Sequence, residues 1–214
     1  MMKPDETFDV ICVGYGFAGA VAAVAAHHAG ARVLLLEKMP DPGGISISSA
    51  GGVRISRDAD ASFNYLKTTN ADTTPEHLLR ALADEMTTIA NFIYEMAAVN
   101  SAEVLITWVK ANYPFEGGDS FGFVSTKDIP GYNPEEAFSW GTGLWGGTRL
   151  FKVMVDNVAK RGIDVRLSTP VDDLIIKKGQ VVGVTVGGQA ILARGGVTLA
   201  CGGFEAGTDM QAQF

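Results

Sequence analysis

Cysteine and histidine are scarce in this chain. Its 214 residues include two cysteines and three histidines. Disulfide frameworks need several cysteines, and metal sites need Cys or His ligands at short, regular spacings. Cys12 and Cys201 both lie in predicted buried strands, and His27 and His28 point about 100° apart on a predicted helix. We therefore expect no disulfide framework and no metal site, and we predict a reduced, cytoplasmic setting.

Positive charge is also in deficit. The chain has 17 Lys and Arg residues against 24 Asp and Glu residues, which gives a formal net charge of −7 at pH 7. Surfaces that bind nucleic acid need clustered cations, and no run of Lys or Arg occurs. The composition therefore argues against a nucleic-acid partner.

Long apolar runs are missing as well. The longest nearly apolar stretch, residues 18–26, is alanine-rich and shorter than the roughly 20 residues that a membrane-spanning helix needs. The first eight residues are polar and lack the pattern of a signal peptide. We predict no membrane span and no secretory signal.

Glycine, by contrast, is abundant, with 26 residues, and three glycines form a fingerprint near the start. A predicted apolar strand leads into Gly14, Gly16 and Gly19, and a predicted helix follows. A second predicted strand, residues 32–36, ends on Glu37, eighteen residues after Gly19. This spacing is typical of a dinucleotide-binding βαβ unit.

Each residue of the fingerprint has its own expected role. Gly14 permits a tight turn, Gly16 lets the backbone approach a pyrophosphate, and Gly19 lets the helix pack close to the strand. The helix N-terminus offers N–H groups and the positive end of its dipole to phosphates. Glu37 is placed to accept hydrogen bonds from ribose hydroxyls. The alternative is a glycine turn that binds no ligand.

A second glycine segment, GGISISSAGG over residues 43–52, begins six residues after Glu37. A nicotinamide-binding Rossmann unit would normally continue here into another short βα unit. Successive free N–H groups and serine hydroxyls instead suit a long cofactor that is held beyond its adenosine half. The alternative for this segment alone is a flexible surface loop.

The rest of the chain is predicted as helices followed by strands. Thr74 and Pro75 start a helix that runs to about Val99, and Ser101 caps a second helix that ends before Pro114. Residues 114–147 are predicted as a long ordered loop. The other predicted elements are strands over residues 8–13, 163–167, 171–177, 180–186, 191–193 and 197–201 and helices over residues 17–29 and 148–161.

Together these features resemble the FAD-binding domain of the fumarate reductase and succinate dehydrogenase flavoprotein superfamily, which includes 3-ketosteroid dehydrogenases. The matching stretches span nearly the whole chain in the family's order. They are DVICVGYGFAGAVAAVAAHHAGARVLLLEK, GGISISSAGG, GGTRLFKVMVDNVAKRGIDVRLSTPVDDLI and VTLACGGFE. The resemblance implies FAD as the cofactor.

The resemblance also implies a role for individual residues. The pyrophosphate would be held by Gly14, Gly16, Phe17, Ala18 and Gly19. The adenosine ribose would be bound by Glu37 with Lys38 beside it, and the adenine would meet the backbone of Val171. The flavin and its ribityl chain would be lined by Gly44, Ile45, Ser46, Ala50, Gly51 and Gly52. The end of the last strand would bring Ala200, Cys201 and Gly202 near the cofactor.

Two departures from the family pattern bear on how FAD is held. Members that attach FAD covalently carry a His where this chain has Ile45, so we expect non-covalent FAD. The usual Thr of the family's A-T-G-G turn is Cys201 here, which keeps a small polar residue. A cysteinyl flavin at Cys201 is the alternative to non-covalent binding.

In this family a capping domain normally follows the last matching stretch, and the chain then returns with the remaining cofactor contacts and the catalytic Arg or Tyr groups. We expect residues 1–214 to be the N-terminal part of an FAD-binding domain, with the capping or substrate domain and the C-terminal return absent. The catalytic residues are accordingly unknown.

The sequence thus predicts an α/β, Rossmann-like FAD-binding domain with a central, mostly parallel sheet and a small inserted β-meander near residues 170–193. The implied function is an FAD-dependent oxidoreductase that transfers hydride between flavin N5 and an activated C–C bond of a carboxylate or ketosteroid-type substrate. Its partners would be that small molecule and an electron-transfer partner. The alternatives are a flavin-binding or interaction subunit without its own activity, and an NAD-dependent Rossmann enzyme.

Overall fold

The computed structural model describes residues 6–138, 145–204 and 207–213. The chain divides into two compact units. The first contains the residues up to Ile47 and those from Met154 onward, and the second contains Ser48–Val153. We describe each unit by itself.

The elements follow one another along the chain from strand β1 to helix α7. They are β1 (Glu6–Val13), α1 (Phe17–His28), β2 (Val33–Leu36), a 3-10 helix (Gly44–Ser48), β3 (Val53–Ser56), α2 (Ala59–Thr69), α3 (Glu76–Glu85), α4 (Ile89–Ala97), β4 (Glu103–Trp108), β5 (Phe121–Asp128), α5 (Pro134–Ala137), α6 (Trp145–Lys160), β6 (Asp164–Arg166), β7 (Asp173–Lys177), β8 (Gln180–Val186), β9 (Gln189–Leu199) and α7 (Thr208–Gln211).

A six-stranded sheet with the order β6-β2-β1-β9-β8-β7 organises the first unit. In this order the first four strands, β6, β2, β1 and β9, run parallel to one another. The strands β9, β8 and β7 then pair antiparallel. All four residues of β2 are buried, as expected for a strand inside a parallel sheet that is covered on both faces. The predicted α/β fold with a mostly parallel central sheet is confirmed.

The predicted meander is present, but its third strand is also the last strand of the parallel sheet. β9 pairs antiparallel with β8 through Gln189–Leu192 and parallel with β1 through Ile191–Leu199. The sequence suggested a break because Gly195 and Gly196 disfavour a strand. The register shifts by one residue there, so the glycines mark a β-bulge within one continuous strand.

The second unit contains a three-stranded antiparallel sheet with the order β3-β5-β4. The single helix predicted from residue 74 to about Val99 is wrong, because two helices, α3 and α4, occupy this stretch. At their junction the hydroxyls of Thr87 and Thr88 donate to the carbonyls of Asp84 and Glu85. Such local hydrogen bonds compete with helix continuation.

Two further predictions for the second unit are wrong. Ser101 does not cap a helix; it has a left-handed φ of 58° and precedes strand β4. The predicted loop over residues 114–147 contains β5, α5 and the start of α6. β4 pairs with the next strand, β5, across residues 109–120, whereas β3 pairs with β5 across α2, α3, α4 and β4.

The core of the sheet in the first unit should carry much of its stability. Leu34 on β2 is fully buried with Phe8, Ile11 and Val184, whereas Ile176 on β7 is 62% exposed. We predict that Leu34→Ala lowers the free energy of unfolding by about 2–5 kcal/mol, because it leaves a cavity. Ile176→Ala should change it far less, and equal losses in urea unfolding would contradict this core assignment.

Candidate cofactor site

The first glycine turn lies where the ends of β1, β2 and β9 meet. Gly14 has a φ of +102°, and its N–H donates to the carbonyl of Leu36 at 2.7 Å. A Cβ at Gly14 would lie 2.3 Å from the carbonyl oxygen of Ala200. The backbone conformation and the close approach both require glycine at this position.

Gly19, the third glycine of the fingerprint, lies on α1 behind the turn and does not line the cavity described below. A Cβ there would lie 1.8 Å from the carbonyl oxygen of Gly14. The expected role of Gly19, close packing of helix against strand, matches this geometry.

The second glycine segment is bonded directly to the first. Ser46 Oγ accepts a hydrogen bond of 3.0 Å from the N–H of Phe17, the first residue of α1, and Gly43 N–H donates to the carbonyl of Tyr15 at 2.8 Å. Gly16 precedes α1 and provides no side-chain cap. Ser46, rather than the N-cap residue, therefore provides a side-chain acceptor at this helix end.

The carboxylate of Glu37 holds the turn from the side of β2. It is buried, with 8% of the residue exposed. Oε2 accepts from the N–H of Tyr15 at 2.8 Å and Oε1 from the N–H of Met39 at 2.9 Å. A carboxylate has about four lone-pair sites, so both oxygens can still accept a further hydrogen bond. Glu37 thus fixes the loop and keeps the capacity to bind a hydroxyl.

A cavity of about 680 Å³ opens in the first unit at the carboxyl ends of these parallel strands. Open α/β sheets bind ligands at this end. Most of the predicted site residues line it. They are Gly14, Gly16, Phe17, Ala18, Glu37, Lys38, Gly44, Ile45, Ser46, Val171, Ala200, Cys201 and Gly202.

Three predicted residues, Ala50, Gly51 and Gly52, belong to the second unit. There the segment packs tightly against the start of α6: Ser49 accepts from Gly147 N–H at 3.0 Å, and a Cβ at Gly51 would lie 2.2 Å from the carbonyl oxygen of Gly146. Close backbone packing within this unit already requires glycine at Gly51.

Sequence reasoning missed part of the cavity wall. Tyr15, Met39 and the pair Thr169 and Pro170 also line it. Thr169 is brought there because its N–H donates to the carbonyl of Glu37 at 2.8 Å. Tyr15 lies inside the glycine fingerprint and could have been included from the sequence, whereas no local pattern marks Met39, Thr169 and Pro170.

Of the two cysteines, Cys12 lies in a buried strand as predicted, whereas Cys201 does not. Cys12 is buried on β1, and burial raises the pKa of its thiol to about 11. Cys201 is exposed rather than in a buried strand, because β9 ends at Leu199. It lines the cavity with its Sγ 3.6 Å from the carbonyl oxygen of Val13.

Few ionisable groups line this cavity in the described part of the chain: Tyr15, Glu37, Lys38 and Cys201. Burial raises the pKa of Tyr15 well above its usual value, and the negative charge of Asp156 adds a smaller increase. Within residues 6–138, 145–204 and 207–213, no group of three or more His, Cys, Asp or Glu side chains is arranged to hold a metal ion. A helix end that offers amides to an anion, beside a buried carboxylate, suits phosphates and a ribose.

Helices in the described part of the chain are all too short or too polar to cross a membrane.

Comparisons with known proteins agree with this geometry. A family model described as an FAD binding domain matches residues 9–213. The chain is 29% identical over 206 residues to a fumarate reductase (cytochrome) of Shewanella frigidimarina, covering 94% of this chain and 34% of that protein. It is 26% identical over 283 residues to a 3-oxosteroid 1-dehydrogenase of Mycobacterium tuberculosis, covering 98% of this chain and 49% of that protein.

A solved structure shares the fold. It is the 3-ketosteroid delta1-dehydrogenase from Sterolibacterium denitrificans in complex with 1,4-androstadiene-3,17-dione, with a TM-score of 0.80 at 20% identity. The match covers 98% of this chain and 50% of that chain. The chain therefore spans about a third to a half of the length of these three proteins.

Substitution of Gly19 tests the helix packing behind the turn. Gly19→Ala forces a methyl group against a backbone oxygen, so we predict a loss of about 1–3 kcal/mol in the free energy of unfolding. At Gly16 a Cβ would meet the hydroxyl of Ser46 at 3.0 Å and the carbonyl oxygen of Gly43 at 3.6 Å, which is an ordinary contact distance. Gly16→Ala, the matched control, should lose less than about 1 kcal/mol. Urea unfolding without added cofactor measures both, and the reverse order would refute this packing.

Substitution of Glu37 separates its two possible roles. Glu37→Gln replaces one acceptor oxygen with an NH₂ group that faces a backbone N–H, so we expect a loss of about 1–3 kcal/mol in unfolding free energy without any cofactor. The exposed neighbour Lys38 provides the control Lys38→Gln, which should be nearly neutral. If Glu37 only binds ribose, Glu37→Gln will leave the cofactor-free stability unchanged.

Proposed function

We infer the function from one premise: the chain belongs to the FAD binding domain family, and FAD is its cofactor. We propose that it provides the FAD-binding part of an oxidoreductase. The observation that carries this proposal is the single cavity in which both glycine segments, Glu37 and the end of β9 meet.

Phosphate binding is assigned to the N-terminus of α1. Gly16, Phe17 and Ala18 line the cavity there, and the first N–H groups of a helix have no acceptor within the helix. The N–H of Phe17 donates to Ser46 Oγ, so a phosphate would share or replace that bond. The positive end of the helix dipole favours the pyrophosphate. Gly14 and Gly19 act by shaping the turn.

Adenosine binding is assigned to the side of the cavity that carries Glu37. The remaining lone pairs of its carboxylate would accept from ribose hydroxyls, with exposed Lys38 beside it. Val171 would meet the adenine through its backbone. Because Glu37 is already fixed by Tyr15 and Met39, it needs no reorientation to bind the ribose.

The ribityl chain and flavin are assigned to the remaining predicted residues. In the first unit these are Gly44, Ile45, Ser46, Ala200, Cys201 and Gly202, which line the cavity. In the second unit they are Ala50, Gly51 and Gly52, whose assignment rests on the family resemblance alone. We propose that FAD is held non-covalently, because Ile45 offers no nucleophile; a bond to Cys201 is the alternative.

When bound, FAD supplies hydride transfer at its N5 to or from an activated C–C bond. We propose a carboxylate or a ketosteroid-type ketone as the substrate class, because the relatives are named as a fumarate reductase and a 3-oxosteroid dehydrogenase. An electron-transfer partner belongs to the same proposal. The 214 residues would then provide cofactor binding within a longer flavoenzyme.

A second candidate is a flavin-binding or interaction subunit without activity of its own. It is favoured by the cavity lining, whose ionisable groups in the described part of the chain do not include a His or an Arg for proton delivery or carboxylate binding. Reoxidation of the reduced, FAD-loaded chain by fumarate, or reduction of its oxidised flavin by a 3-ketosteroid, distinguishes the oxidoreductase from this candidate.

Cofactor binding by the full chain tests the proposal. We predict uptake of FAD with its visible absorption bands, no displacement by an equal concentration of NAD⁺, and release of all flavin into the supernatant on acid precipitation. Gly44→Val should abolish uptake, because the new side chain would enter the space where FAD is held.

Gly188→Val is the matched control. Gly44 and Gly188 both have a left-handed φ, +49° and +77°, and a Cβ at either would meet no protein atom within 4 Å. Backbone strain is therefore comparable, but only Gly44 lines the cavity. Equal FAD uptake by both variants, or displacement by NAD⁺, would overturn the site; a coloured acid pellet would overturn non-covalent attachment.

A further inference from the structure

The second unit has a cavity of its own, of about 530 Å³. Its walls come from α2, α3, α4, β3, β5 and the segment before Tyr113, and most of the lining side chains are apolar. Leu82 and Tyr113 at its edge are half exposed or more. No Asp or Glu lines it in the described part of the chain.

Among the residues that the structure describes, Arg54 is the one cation that lines this cavity. It lies on β3, and its guanidinium carbon is 4.6 Å from the ring centre of Phe123 and 5.3 Å from that of Phe121. Across the ranges that the structure describes, no ion pair or hydrogen bond involves its N–H groups. Two aromatic rings therefore hold the cation, while its donors stay available in a chain of net charge −7.

Tyr65 offers a second donor from inside the same cavity. Only 7% of the residue is exposed, and its hydroxyl oxygen accepts from the N–H of Tyr113 at 3.1 Å. Among the described residues no acceptor takes the hydroxyl's own proton. The Tyr65 ring packs edge-on against Phe121, 5.2 Å between centres, so Tyr65 and Arg54 contact the same ring.

We propose that this cavity binds a small amphipathic anion, an apolar molecule with one carboxylate. Its apolar body would pack among Leu66, Met86 and Ile89, and its carboxylate would face Arg54 and the Tyr65 hydroxyl. A cationic ligand would find no carboxylate in the described lining, and a neutral one could accept a hydrogen bond but would offer Arg54 no opposite charge. This site lies in the second unit, and none of its lining residues lines the cavity assigned to FAD.

Calorimetric titration of the full chain with decanoate and with decanol tests the proposal, with FAD present so that the cofactor cavity is filled. Decanoate should bind at one site at least about tenfold more tightly than decanol, since hydrogen bonds to charged groups are the stronger kind. Arg54→Met, which keeps an apolar side chain over the rings, should abolish that preference and leave decanol binding unchanged.

Arg57→Met is the matched control. Arg57 follows the same strand and stacks on Trp108 at 5.0 Å, but it does not line the cavity. It should keep the preference for decanoate. Equal affinity of the wild-type chain for both probes, or no binding of either, would overturn the proposal, and these results do not require Arg54→Met to fold. Loss of the preference in both Arg variants would show a general charge effect and would also overturn it.

Discussion

A buried carboxylate bonded to two backbone amides holds the glycine turn in place. Glu37 follows the last residue of β2. Its carboxylate accepts from the N–H of Tyr15 in the turn and from the N–H of Met39, two residues further along the chain. Through these bonds the end of one strand fixes the loop that follows the neighbouring strand. The position of the α1 N-terminus, and therefore of the amides assigned to phosphate, depends on this interaction.

The same constraint explains why the two glycine segments act together. Once the turn is fixed, the carbonyl of Tyr15 accepts from the N–H of Gly43, and the N–H of Phe17 donates to Ser46 Oγ. Each bond links the turn or the helix end to the segment that follows Glu37, so contacts within the protein shape the cavity. A loop held by such bonds loses less conformational entropy on binding than a flexible loop would.

Local stereochemistry explains what the sequence predicted well. The turn, α1 and β2 were predictable because stereochemistry requires the glycines of the fingerprint. Gly14 has a positive φ, and a Cβ at Gly19 would collide with the carbonyl oxygen of Gly14. Strands β4 and β5 were missed because no tight turn joins them and because the other partner of β5, β3, lies three helices earlier in the chain. The continuity of β9 was missed because a glycine pair marks a bulge as readily as a strand end. The hydrogen bond from the N–H of Tyr15 to the carboxylate of Glu37 joins groups that only the fold brings together.

The central claim is that the amides at the start of α1 receive the FAD pyrophosphate. Backbone amide NMR of the isotope-labelled chain, titrated with FAD, tests it most directly. The account predicts that the resonances of Gly16, Phe17 and Ala18 shift as FAD binds, with the Tyr15 amide still bonded to Glu37. FAD binding that leaves those three amides unshifted would contradict it.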